Sequence, residues 1–114
     1  MQIHHNYSLK EHNTFGMDVS CTYFAEVETN LEIKELLSDR RFKNLQKLIL
    51  GSGSNILFTK DYDGLVITQT SNKITIQSED DNYIFIAADG GVLWHDFVMF
   101  CVNKNLGGIE NLSL

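Results

Sequence analysis

A glycine-rich pentapeptide between two apolar segments constrains the fold of this chain more than any other feature. Residues 45–50 have the composition of a buried strand, and they lead directly into Gly51-Ser52-Gly53-Ser54-Asn55. Residues 56–58 are apolar and extended in character. The pattern predicts a strand whose carboxyl end opens into a tight curl of backbone at the edge of a sheet.

The residues of this curl suit an anion. Gly51 and Gly53 permit the unusual φ values of a backbone nest and let the main chain approach an anion closely. Ser54 and Asn55 add hydroxyl and amide donors, and the loop contains no lysine. We therefore predict a phosphate-binding loop with neutral donors.

Two common phosphate loops are excluded by the residues that follow. A nucleoside triphosphate loop requires Gly-Lys-Ser or Gly-Lys-Thr, but Asn55 is followed by Ile56. A Rossmann dinucleotide loop requires a third glycine and an immediate helix, and Ile56 stands at the glycine position. A flavin diphosphate loop between strands and a plain structural turn both remain open.

The rest of the chain reads as a mixture of strands and helices. Residues 1–16 are polar and are expected to be irregular. Strands are predicted at 21–27 and 65–68, and a hairpin at 73–77 and 83–88. Helices are predicted from Thr29 or Asn30 to about residues 40–43, and at 94–102.

Composition limits the partners. A chain of 114 residues is long enough for one domain or part of one. Its net charge is −6, and the sequence contains no basic stripe of the kind that binds nucleic acid. The cluster Arg40, Arg41, Lys43 and Lys47 is interpreted as a solvated helix end. The apolar runs are far below the ~18 residues of a membrane span, and no signal-peptide core is visible. With two cysteines at no metal-type spacing, we expect a cytoplasmic protein with no membrane or metal partner.

Other conspicuous side chains have plain structural interpretations. Adjacent His4 and His5 are expected at an exposed terminus, and His95 on the solvated side of its helix. Trp94 is expected in the core because its helical spacing to other apolar residues is regular. The acidic run 79–81 lacks the ligand spacing of an EF-hand and is expected at a hairpin tip.

Five short motifs follow one another along the chain. They are Asn13-Thr14-Phe15-Gly16-Met17, the segment 50–57, Asp63-Gly64-Leu65-Val66-Ile67, the set Gly91, Trp94 and His95, and Gly108-Ile109-Glu110-Asn111-Leu112. In this order they resemble the N-terminal part of the UDP-N-acetylenolpyruvoylglucosamine reductase (MurB) family, from about residue 8 to residue 114. The first motif is expected to be a structural turn and not a ligand contact.

The resemblance implies a fold class, a cofactor and a reaction. The fold is α+β, an FAD-binding domain of the PCMH/VAO type, with a small sheet flanked by helices and the start of a second subdomain. FAD, reduced by NADPH, passes hydride to the enolpyruvyl group of a UDP-sugar to give UDP-N-acetylmuramate. This product is used to build the peptidoglycan cell wall, so the reaction contributes to cell shape and cell division. The family's catalytic serine, arginine and glutamate match no position here. The cofactor-binding residues that carry over are Leu50, as an adenine or ribose neighbour, and the loop Gly51, Ser52, Gly53, Ser54 and Asn55.

A new apolar segment begins at residues 109–114, where the chain stops. We therefore expect residues 1–114 to be the front part of a longer FAD-binding domain, without the substrate domain. Such a piece is expected to be inactive alone, to bind flavin weakly, and to self-associate. Two alternatives remain: an FAD-linked oxidase of the same general fold, which would usually carry a Gly-His-Ser loop, and a binding module without flavin.

Overall fold

A computed structural model of the chain describes residues 1–109. The chain forms two compact units, Met1–Thr70 and Ser71–Leu114. Together they contain helices and both parallel and antiparallel strands, so the predicted α+β class is confirmed.

The first unit is a mixed sheet of four strands in the spatial order β1-β2-β4-β3. β1 runs antiparallel to β2, whereas β2, β4 and β3 are parallel. The strands are β1 (Ile3–Ser8), β2 (Ser20–Val27), β3 (Gln46–Ile49) and β4 (Tyr62–Gln69), with α1 (Asn30–Ser38) connecting β2 to β3.

Two apolar clusters cover the two faces of the central strands. One cluster contains Phe24 and Val66, and the other contains Ala25 and Leu65. Because successive strand residues point to opposite faces, these neighbours place a cluster on each side of the sheet. Phe24, Ala25, Leu65 and Val66 are all fully buried. β2 and β4 are therefore buried on both faces, as parallel strands usually are.

The pairing of β2 with β4 contains a register shift between Cys21 and Tyr23. These residues lie two apart in sequence but pack against different clusters, Cys21 with Phe24 and Tyr23 with the opposite set. On its other side β4 approaches β3 closely at Gly64, where an added Cβ would lie 2.4 Å from the carbonyl oxygen of Gln46. The shift thus changes the face that β2 presents partway along its length.

α1 begins with a capping box. The Thr29 hydroxyl accepts a hydrogen bond from the Glu32 N–H, and the Glu32 carboxylate accepts bonds from the N–H groups of Glu28 and Thr29. These N–H groups hold the pKa of Glu32 below its ordinary value. The helix ends at Ser38 with no basic residue in its last turn, so the interpretation of Arg40 and its neighbours as a helix end is wrong. They follow in a separate 3-10 turn and in β3.

Two sequence predictions for the first unit are wrong. Residues 1–16 are not irregular throughout, because Ile3–Ser8 pairs with β2 as an edge strand. The strand predicted at 45–50 is not buried: it is the opposite edge strand, and Ile49 is 72% exposed. Local composition does not reveal which strand lies at an edge, since this depends on the order of the whole sheet.

The second unit contains a hairpin and a helix, both as predicted. The hairpin strands are β5 (Ile74–Glu79) and β6 (Ile84–Ala88), and the helix is α2 (Trp94–Asn103). Within its described residues only the apolar side chains of Val98 and Cys101 are buried. Trp94 is 43% exposed, so its predicted place in the core is wrong. The predicted helical period is correct, but the apolar face of α2 that it defines is only partly buried.

Candidate functional site

The loop 51–55 lies at the carboxyl end of β3. The N–H of Leu50 donates to the carbonyl of Ile67 at 2.8 Å, which continues the parallel pairing by one residue. The chain then leaves the sheet in a series of bends, and no helix follows before β4. The sequence therefore predicted the position of the loop correctly, at the edge where the parallel strands end.

The loop faces outward and offers backbone donors. Gly51, Ser52, Ser54 and Asn55 are exposed, and residues 49–56 line an open depression of about 280 Å³. None of the N–H groups of residues 51–55 donates a hydrogen bond to another residue within the described range 1–109. Unpaired N–H groups in a bent segment are what an anion-binding nest provides.

The two glycines of the loop serve different purposes. Gly53 has a φ of +74° and is buried, and a Cβ there would lie 2.0 Å from the carbonyl oxygen of His12. Gly51 has no such constraint, because nothing lies within 4 Å of the position of an added Cβ. Glycine at 53 is therefore required by the packing of the chain itself, whereas the space beside Gly51 is open.

The underside of the loop rests on the turn 13–16. The Gly53 carbonyl accepts a hydrogen bond from the Thr14 N–H at 3.1 Å and a longer one from the Thr14 hydroxyl at 3.4 Å. Asn13 is 7% exposed, and its amide donates to the carbonyls of Leu9 and Met17 while its oxygen accepts from the Met17 N–H. The predicted structural role of this turn is thus observed, but its contact with the loop 51–55 was not predicted.

The chemistry of the loop is that of neutral donors. Its side chains carry hydroxyl and amide groups, and the hydroxyl oxygens of Ser52 and Ser54 are 3.2 Å apart. The side chain of Leu50 is 4% exposed and belongs to the core, so this residue can meet a ligand only through its backbone. Such a loop can bind and orient a phosphate, but it holds no group that can accept or donate a proton near neutral pH.

Other residues singled out from the sequence do not join this site. His95 is exposed at the start of α2. Asp80 lies at the hairpin tip, where its carboxylate accepts bonds from the N–H groups of Asn82 and Tyr83. His4 and His5 lie in β1, close to the rings of Phe24 and Tyr23 respectively.

Within residues 1–109 no group of three or more potential metal ligands comes together. None of the helices in that range is long and apolar enough to cross a bilayer. The last of the five motifs, and the extended segment expected at 109–114, lie largely outside the described residues.

The mixed sheet, the exposed glycine loop and its unpaired donors are compatible with a dinucleotide-binding domain. The FAD binding domain family matches residues 21–114, and the chain belongs to this family. The predicted cofactor, FAD, is therefore confirmed at the level of the family, and a module unrelated to flavin is disfavoured.

Within that family the chain is similar to UDP-N-acetylenolpyruvoylglucosamine reductases. It is 43% identical over all 114 residues to the enzyme of Flavobacterium johnsoniae and 41% identical to that of Amoebophilus asiaticus, and it covers 33% and 34% of those proteins. The crystal structure of the reductase (MurB) from Thermus caldophilus matches 98% of this chain and 37% of that one, with a TM-score of 0.66 and 25% identity. The chain spans about a third of the length of these relatives, at their N-terminal end, which confirms the resemblance.

Proposed function

We propose that this chain is the cofactor-binding front of a reductase that acts on UDP-N-acetylglucosamine enolpyruvate. Residues 1–114 would form the N-terminal part of the FAD domain, and the reaction would need the remaining two thirds found in the relatives. The proposal is supported by family membership over residues 21–114 and by the similarity to reductases along the whole chain.

The observation that carries the proposal is the row of unpaired N–H groups at 51–55. We assign the FAD diphosphate to these donors, with the hydroxyls of Ser52 and Ser54 and the amide of Asn55 as side-chain partners. Leu50 would contribute through its backbone next to the adenosine part. The acidic chain, with a net charge of −6, would then bind a dianion through fixed dipoles and without a lysine or arginine in the loop.

In the assembled protein FAD would supply hydride transfer from NADPH to the enolpyruvyl group. The residues of this chain would bind and orient the cofactor, and proton transfer would be left to the part of the relatives that this chain does not cover. We further propose the cytoplasm as the place of action and cell-wall synthesis, with its consequences for cell shape and division, as the process. The two free, buried thiols of Cys21 and Cys101 are compatible with a reducing compartment.

Flavin retention tests the site. Residues 1–114 are joined to the remaining two thirds of the Flavobacterium johnsoniae relative, and the purified protein is assayed for bound FAD and for substrate-dependent NADPH oxidation. Gly51→Val places a branched side chain where nothing lies within 4 Å, so the fold should survive while FAD is lost. Ser78→Ala, at an exposed position of β5, is the control. Normal FAD content in Gly51→Val would show that the cradle lies elsewhere, and a colourless parent protein would refute the flavin function itself.

A second proposal concerns association between copies of this chain. Phe85 is 55% exposed and Tyr83 is 68% exposed on the hairpin of the second unit. Large exposed apolar patches mark contact surfaces. We expect the 114-residue chain to form dimers or larger species in sedimentation experiments, and Phe85→Ser to shift it toward monomer. Phe15→Ser, at a 61% exposed residue of the first unit, serves as the control and should leave the distribution as it is.

A further inference from the structure

We propose that Thr14 is a positioning residue for the cofactor, holding the Gly53–Ser54 peptide so that the Ser54 N–H faces the diphosphate. This inference rests on the proposed function of the loop. It assigns a cofactor role to a segment that precedes the region matched by the FAD binding domain family, which begins at residue 21.

The hydrogen bonds to Gly53 fix the direction of one peptide plane. Both donors of Thr14, its N–H and its hydroxyl, point at the Gly53 carbonyl. The described chain contains no cis peptide bond, and in a trans peptide the C=O and the following N–H point to opposite sides. The Ser54 N–H therefore points away from the turn 13–16. Ser54 itself is exposed, so this donor is directed to the open side of the loop.

Loss of these two bonds would remove a restraint on the rotation of this peptide plane. A flip of this plane changes ψ of Gly53 and φ of Ser54, and Gly53, which has no Cβ, offers little steric resistance to a change of ψ. A flip of the Gly53–Ser54 peptide would turn the Ser54 N–H inward and present the Gly53 carbonyl oxygen to the ligand. An oxygen facing a phosphate repels it, so the flip would replace an attraction with a repulsion.

The turn that carries Thr14 is itself held rigidly. The Gly16 N–H donates to the Asn13 carbonyl at 3.1 Å, which closes a β-turn with Thr14 at its second position. The buried Asn13 side chain ties this turn to Leu9 and Met17 through three further hydrogen bonds. The backbone of His12 and Asn13 also lies directly against Gly53, where it leaves no room for a Cβ. The turn is therefore a fixed support and not a mobile neighbour.

Thr14→Pro tests the proposal in the joined protein. Proline suits the second position of such a turn, and Asn13, with φ −143° and ψ 142°, has the extended conformation that a following proline prefers. The proline lacks the N–H, and its ring atom occupies the place of that hydrogen, so the Gly53 carbonyl must turn away. FAD affinity should fall by about tenfold or more, as expected for a lost donor and a new repulsion.

Thr14→Val is the matched control because it keeps the backbone N–H and removes only the longer hydroxyl contact. Its FAD affinity should fall by no more than about threefold. A spectroscopic signature separates positioning from a general structural defect. At saturating protein, the ³¹P resonances of bound FAD should move toward those of free FAD in Thr14→Pro, while the flavin absorption band keeps its bound form.

Several outcomes would overturn the proposal. Equal losses in Thr14→Pro and Thr14→Val would show that the side chain, not the N–H, matters, and unchanged ³¹P resonances in Thr14→Pro would show that the peptide does not meet the diphosphate. If Thr14→Pro does not fold, the unsubstituted protein gives the answer: its Ser54 amide proton resonance should shift downfield on adding FAD, and an unshifted signal refutes the inference. A parent protein that binds no FAD would instead refute the proposed function.

Discussion

The two units of this chain both contain many apolar residues but differ in how many of them are buried. In Met1–Thr70, thirteen apolar residues are buried and seven large ones are exposed. In the described part of the second unit, residues 71–109, two are buried and seven large ones are exposed. The first unit carries both buried clusters, one on each face of its central strands, whereas the second pairs a hairpin and a helix with little covered between them.

This difference teaches that an apolar pattern specifies an element but not its burial. The alternation in β5 and β6 and the helical period of α2 produced the predicted elements. Each nevertheless leaves large side chains exposed, among them Phe85 and Trp94. The second unit therefore leaves many of its large apolar side chains exposed, while the first encloses its own core and presents the loop 51–55.

The largest expected contrast comes from one phenylalanine in each unit. Phe24 is fully buried and its ring stacks on that of Tyr7 at 4.4 Å, so Phe24→Ala should destabilise the first unit by about 3–5 kcal/mol. Phe85→Ala, at a 55% exposed position, should change stability by about 0.5 kcal/mol or less. Amide hydrogen exchange would measure the effect of Phe24→Ala in β2 and β4 and that of Phe85→Ala in β5 and β6. Equal effects would remove the distinction between the units.

A smaller effect is expected where the backbones of the first unit approach closely. Gly64→Ala would place a methyl group 2.4 Å from the Gln46 carbonyl oxygen, between β3 and β4. Overpacking of this kind costs about 1–3 kcal/mol, measurable as a lower midpoint in urea. Should the variant prove as stable as its parent, β3 would be more loosely paired than the register indicates.

Removal of the cap of α1 should cost about 1 kcal/mol. Thr29→Ala deletes the hydroxyl that accepts from the Glu32 N–H, and with it half of the capping box. Thr29→Ser retains that acceptor and should restore most of the lost stability in thermal unfolding. A serine variant as unstable as the alanine variant would mean that the methyl group, not the hydroxyl, matters here.

The smallest expected effect is the loss of stability of the second unit at low pH. The pKa of Asp89 is held below its ordinary value, chiefly because the Ser71 hydroxyl donates to its carboxylate, with a further bond from the Lys73 N–H. A depressed pKa adds stability above the pKa of the unfolded chain, and this contribution is lost as the pH falls through the lower folded value. An NMR titration should find the Asp89 pKa below the ordinary value of an aspartate, and Ser71→Ala should raise it. No rise in Ser71→Ala would assign the shift to another group.

Local signals predicted what local interactions determine. Thr29 or Asn30 was predicted to begin a helix, and the polar residues at 79–82 were predicted to form a hairpin loop; the start of α1 and the turn of the hairpin lie where expected. The glycine pair at 51 and 53 indicated a bend at the end of a strand, and the bend is there. In each case the residues that decide the structure lie within a few positions of one another.

The failures concern relations between distant residues. The place of β3 at the sheet edge follows from its pairing with β4 alone, which no local pattern contains. The contact of Thr14 with Gly53 joins residues 39 positions apart, so the support of the loop was invisible in the sequence. The glycine requirement at 53 was attributed to an anion, whereas the structure shows that the backbone of His12 already imposes it.

The register shift in β2 has a consequence for the fidelity of folding. A slip of β2 by one position against β4 would move its side chains to the opposite faces in both halves of the strand, so Phe24 would leave the cluster that it shares with Val66. The irregularity at Cys21 and Tyr23 thus favours a single register between β2 and β4. Cys21 and Tyr23 pack on opposite faces although they lie two residues apart, so a chain with one residue inserted or deleted between them would alternate regularly and would lose the irregularity.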